Sequence, residues 1–173
     1  MDKVIAHLAG LYAVAKAVED SPLEDLKSIY EGEPDKLPES DLPALIIQPA
    51  GTTYQHDKSG SQYDVREARV RMVLILKPKT FYASNYAGNA KKIYTEAKAA
   101  QMTEATDDSQ HADVNSVVGV VQNNQTLTLS GVPASSMCLI DTVEYDTPPP
   151  RARGFDSYEV TIEAIATVRG NRS

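Results

Sequence analysis

Val4, Ile5, Leu8, Leu11, Tyr12, Ala15 and Val18 recur at three- and four-residue steps, which predicts an amphipathic helix to about Glu19, one face against a sheet. Ser21-Pro22-Leu23-Glu24 follows as an N-cap, a proline suited to the first helical turn and a glutamate three residues after the cap. A second short helix is expected from there to about Tyr30, stopping near Gly32, and then an irregular connection from Glu33 to Pro43. Leu45, Ile46 and Ile47 form a short strand between Pro43 and Pro49, and the prolines argue against extending it as an interior strand. From Val65 to Leu76 one face is apolar throughout: Ala68, Val70, Met72, Leu74 and Leu76. The other face begins with Glu67, Arg69 and Arg71 and ends with Val73 and Ile75, so one end of this strand is half exposed and the other is buried on both faces. The polar stretch 50–64, punctuated by Gly51 and Gly60, reads as a protruding hairpin arm that orders against a partner, with a simple flexible loop as the alternative.

A further helix is expected from Ala83 to about Ala100, with Tyr86, Ala87, Ala90, Ile93, Tyr94 and Ala97 on its apolar stripe. Val114, Val117, Val118 and Val121 keep helical spacing although valine favours strands, and the spacing predicts a helix to about Asn123. Thr126 to Leu129 reads as a short extended piece ending at Gly131. Met137 to Tyr145 and Tyr158 to Val168 are strand-like, and the polar face of the second carries Glu159 and Glu163, placed to pair with Arg69 or Arg71. Between them Pro148, Pro149 and Pro150 stiffen a second arm that holds Arg151 and Arg153. The expected fold is α+β: a mainly antiparallel sheet of about four strands with helices on one face, in a single domain 1–173 with arms at 50–64 and 146–156.

At 173 residues the chain can bury a core without disulfides or a structural metal. Its formal charge of −7 argues against free binding to nucleic acid, which needs clustered Lys and Arg. The single cysteine, Cys138, permits no intrachain disulfide; flanked by Met137, Leu139 and Ile140, it reads as a buried structural thiol. Nine Tyr and two Phe with no Trp suit subunit boundaries as well as core edges. The start of the chain lacks the pattern of a signal peptide, and no stretch has the length of a membrane span, so synthesis and use in the cytoplasm, or in something assembled there, are expected.

No residue pattern points to catalysis, a cofactor or a metal. His7, His56 and His111 have no second His or Cys at ligand spacing, and Asp107 and Asp108 beside His111 are better read as helix-start residues. Phosphate-binding glycine loops and serine nucleophile elbows are absent from the sequence. Arg151 and Arg153 suit a protein carboxylate better than a phosphate on so acidic a chain. Tyr54, Tyr63, Arg151, Arg153 and Phe155, all on the two arms, are the expected partner contacts. A small ligand-binding or enzymatic domain is the remaining alternative; it requires convergent polar groups in the core, and no ionisable residue interrupts the apolar stripes.

The N-terminal helix leading to YEGEPDKLPESDLPALIIQP, the long polar hairpin, VRMVLILKP, the helical middle and the terminal SYEVTIEAIATVRGNR together resemble small phage neck proteins, most closely the tail terminator family. The resemblance spans nearly the whole chain and rests on layout. It implies a structural virion protein that forms a hexameric ring, caps the tail tube and offers a face to the head connector. DNA would pass through the lumen without specific binding, a task that an acidic chain suits. Another neck component, a head-tail connector or stopper, shares the layout. The helical middle is longer than the single helix of a minimal terminator and has room for an extra helix outside the ring.

Overall fold

A computed structural model describes residues 1–55, 63–77, 89–104, 112–127, 137–146 and 157–171. Five strands form one sheet in the order β1-β2-β3-β5-β4: β1 Ser28–Glu31, β2 Ala44–Gln55, β3 Tyr63–Leu76, β4 Met137–Asp146 and β5 Tyr158–Asn171. All neighbours are antiparallel except β1 and β2, which run parallel. Among the described residues three α-helices accompany the sheet: α1 Asp2–Lys16, α2 Asn89–Thr103 and α3 Val117–Asn123.

The alternation of β3 sets the layers. Ala68, Val70, Met72, Leu74 and Leu76 join Leu45 and Ile47 of β2, Val160, Ile162, Ala164 and Ala166 of β5 and Cys138 of β4 in one core. Into this core the helices insert Val4, Ile5, Leu8 and Tyr12 of α1, Ala99 and Met102 of α2, and Val117, Val120 and Val121 of α3. Among the described residues the opposite sheet face is covered at one end, where Ala44, Ile46, Val73 and Ile75 pack with Leu42 and the half-buried Tyr30 and Leu37. The expected change in character along β3 is present, with Arg66, Arg69 and Arg71 exposed and Met72 to Leu76 all buried.

Tyr12 locks the layers together. Its ring is fully buried, and its hydroxyl lies 2.9 Å from both the Val117 carbonyl oxygen and Met72 Sδ. One hydroxyl has one proton, and the carbonyl is the stronger acceptor, so α1 is hydrogen-bonded to the first residue of α3 across the face of β3. Ser116 caps α3, its Oγ accepting from the Gly119 N–H at 3.0 Å and donating to the Asp113 carbonyl at 2.8 Å.

Several expectations need correction. The segment after Ser21 makes turns and then β1, not a second helix: the Leu23 N–H donates to Ser21 Oγ, and the Lys27 N–H donates to the Pro43 carbonyl. So short a helix has little stability of its own, and Ser28–Glu31 gains a strand partner in Ala44–Ile47, which raises the strand count to five. Strand β2 does not stop at Pro49. β1 accompanies it only as far as Ile47, so from Gln48 onward β2 has no strand on that side among the described residues. A proline is tolerated at such an edge, and the register shift between Pro49 and Gly51, with Gly51 at φ +145°, absorbs it. Helix α1 ends at Lys16 rather than about Glu19, and Val18 is exposed. Among the described side chains of α2, Thr95, Ala99, Met102 and Thr103 are buried, while Ala97, expected on its apolar stripe, is exposed; the rest of that expected stripe, Tyr86 to Tyr94, lies outside the described side chains. Val114 lies in the turn before α3, exposed. Thr126 makes a single bridge to Met137, and Leu127 is buried; the rest of that expected strand lies outside the described residues.

Candidate assembly surface

Strands β2, β3 and β5 continue together beyond the helix-covered core. In register, Gly51 to Gln55 face Arg69 to Val65, and β3 is paired with β5 as far as Tyr63 with Asn171. Strand β4 pairs with β5 only over Glu159 to Thr167, so beyond Thr167 the sheet is a three-stranded extension of β2, β3 and β5. Tyr54 is exposed on it, and Gly51, Thr52 and Thr53 are exposed on β2 in the rows just before it. The expected arm at 50–64 thus has paired walls over Gly51 to Gln55 and Tyr63 to Arg69; residues 56–62 lie outside the described residues.

Tyr54 is 58% exposed, and the Arg66 guanidinium carbon stands 5.4 Å from its ring centroid, a cation–π arrangement that holds both side chains on the surface. Register explains the pair: Tyr54 and Arg66 are directly opposite across the β2–β3 ladder. Tyr63 opens β3 opposite Asn171, with its side chain outside the described residues. Arg151, Arg153 and Phe155, with the arm at 146–156 that carries them beyond Asp146, also lie outside the described residues.

Across the sheet, Arg71 faces Glu163 in register and its Nη2 makes an ion pair with Glu163 Oε1 at 2.8 Å, as the polar face of β5 led one to expect. Arg69 instead faces Ile165 and makes no ion pair among the described residues.

The other surface of note is β4, which residue patterns alone did not single out. Cys138 is buried as expected, yet its neighbours Met137 and Leu139 are 41% and 45% exposed. Strand alternation buries the thiol, and an apolar neighbourhood was the wrong reason for that expectation. Burial also pushes the Cys138 thiol up to about 11. Between Ile140 and Thr142 a bulge leaves Asp141 as the extra residue, and Asp141 and Glu144 are both exposed. Tyr145 donates to Glu104 Oε2 at 2.7 Å, tying β4 to the end of α2; burial first, and then this hydrogen bond, raise its phenol pKa. The signal in the sequence is composition: Met137 to Asp146 holds three acids and no Lys or Arg, whereas Tyr63 to Leu76 holds three of the arginines.

Among the described residues, no three His, Cys, Asp or Glu side chains are grouped to hold a metal ion, and no helix is long and apolar enough to cross a membrane. Neither a protein-family model nor a curated protein matches the chain.

Proposed function

We propose that this chain is a non-enzymatic structural protein of a tailed-phage virion, a tail terminator that closes into a ring, caps the tail tube and joins it to the head connector. The observation that carries the reading is the three-stranded extension, a projection of paired strands that leaves Tyr54 and Arg66 on the surface. A projection of paired strands gives a contact surface its shape before the partner arrives, which limits the ordering cost of assembly. The layout of helices on one side of a mainly antiparallel sheet supports the same reading through the resemblance. In such a ring the net charge of −7 keeps passing phosphates from adhering.

Native mass spectrometry of the full chain over a range of concentrations, with particle imaging of the oligomer, tests the ring. A closed hexamer with a central hole is expected. Mixing that oligomer with purified tail tubes then tests the capping role: density confined to one tube end supports it, and rings that ignore tube ends but bind a head connector identify a stopper instead.

A further inference from the structure

From Val4 to Ala15, helix α1 carries no Asp, Glu, Lys or Arg. One face buries Val4, Ile5, Leu8, Tyr12 and Ala15 against the sheet and α3, and the opposite face leaves Ala6, Gly10, Ala13, Val14 and Ala17 exposed. Val14, at 69%, is the most exposed large hydrophobic side chain among the described residues. A helix that is apolar all round is ordinarily covered all round. Along the exposed face Lys3, Ala6, Gly10, Ala13 and Ala17 recur at alternating steps of three and four, which is the period of a seam between two helices. Gly10, at the centre of this face, has no packing reason inside the chain. Glycine is among the poorest formers of a helix interior, and a Cβ on Gly10 would meet nothing within 4 Å. A second backbone passing close to Gly10 accounts for the absent side chain.

We propose that α1 of a second copy of this chain lies antiparallel on this face, with the two-fold axis at Gly10. Residues equally far from Gly10 on either side then share a level. Val14 of one copy enters the hole formed by Lys3, Ala6, His7 and Gly10 of the other, and symmetry repeats the contact. The hole has room for a valine because Ala6 and Gly10 form two of its four walls. Charge selects the orientation. Lys3 stands at one end of the seam, and Glu19 and Asp20, both exposed, follow its other end. Antiparallel copies bring Lys3 of each beside the acidic end of the other and oppose the helix dipoles, whereas parallel copies would set Lys3 on Lys3. A two-fold contact does not occur between neighbours in a head-to-tail ring, so this pairing joins free copies or two rings and does not depend on the proposed function.

Sedimentation of the full-length chain up to about 1 mM, with disulfide trapping, tests the pairing; one helix face is less than the roughly 800 Å² a partner of a standard interface, so pairing is weak. Val14→Glu and Gly10→Leu are each expected to weaken it about tenfold or more. Dilute Gly10→Leu is expected to melt above wild type, since leucine is the better helix former and meets open space there. With Cys138 buried, Ala6→Cys and Val14→Cys chains are expected to cross-link when mixed and not when each is alone, because only the mixture places two thiols on one level. Wild-type chain that shows no two-fold pairing overturns the proposal and leaves the face to a helix of another protein. Pairing that survives Val14→Glu and Gly10→Leu, or cross-linking as fast in either cysteine variant alone as in the mixture, also overturns it. Hexamers without the mixed cross-link would sink this pairing and leave the ring standing; cross-linked pairs without hexamers would do the reverse.

Discussion

Removing the Tyr12 hydroxyl isolates the bond that joins α1 to α3. In Tyr12→Phe the ring stays in its fully buried place, and the Val117 carbonyl loses the donor 2.9 Å away. A buried hydrogen bond contributes about 1 kcal/mol net, since the donor gives up water to make it. For a urea dependence of about 2 kcal/mol per molar, the unfolding midpoint should fall by about 0.5 M with the slope unchanged. Tyr12→Ala also empties the space beneath Met72 and should cost about 3–5 kcal/mol, a midpoint lower by about 2 M. Burial raises the Tyr12 phenol pKa, so it stays protonated in the folded chain while the unfolded chain ionises it near about pH 10. Above that pH the unfolded state binds fewer protons, and stability falls as pH rises. The contribution is complete below the unfolded pKa and is lost as pH climbs through the folded one; wild type should therefore lose stability more steeply than Tyr12→Phe in strong alkali. Urea titrations at neutral and alkaline pH measure both effects. A Tyr12→Phe midpoint equal to or above that of wild type would refute the reasoning, because it would mean that desolvating the hydroxyl costs as much as its bond returns.

The remaining predictions concern packing, reactivity and the sheet surface. Gly119→Ala should lower stability by about 2 kcal/mol or more, read as a fall in melting temperature, because a Cβ there would overlap the Asp113 carbonyl, which is fixed by the Ser116 N–H. The Cys138 thiol, buried and pushed up to about 11, should resist a disulfide-forming reagent at pH 8 in the folded chain and react fully in denaturant; fast native labelling would contradict its place in the core. A double-mutant cycle on Arg71→Ala and Glu163→Ala should return a coupling of about 0.5 kcal/mol that shrinks in high salt, since the pair is partly exposed. A coupling near 3 kcal/mol would indicate that another molecule covers the pair under the assay conditions.

The elements that sequence reasoning located correctly are those whose periodicity agrees with their packing. β5 alternates, and β3 alternates as far as Arg71 and is then buried on both faces from Met72 to Leu76, so their burial pattern is written into the residue order. β1 was missed for the opposite reason. Ser28–Glu31 has four residues, and what makes it a strand is the presence of Ala44–Ile47 beside it, a partner that no local window contains. Pro49 was misread through a rule applied without knowing which part of β2 is an edge. The surface features divide in the same way. Tyr54 could be nominated from a polar, glycine-bounded stretch, but its pairing with Arg66 is a matter of register, and register follows from the bulge at Pro49 and Gly51. The acidic β4 and the arginines of β3 were both visible as composition, yet composition does not say that β5 lies between them or that Met137 and Leu139 are left uncovered. Sheet order sets one strand, β5, between the two local charge biases, and register puts Arg69, Ile165 and Leu139 in one row. Long-range strand pairing is therefore the step at which residue order acquires a meaning for the sheet surface.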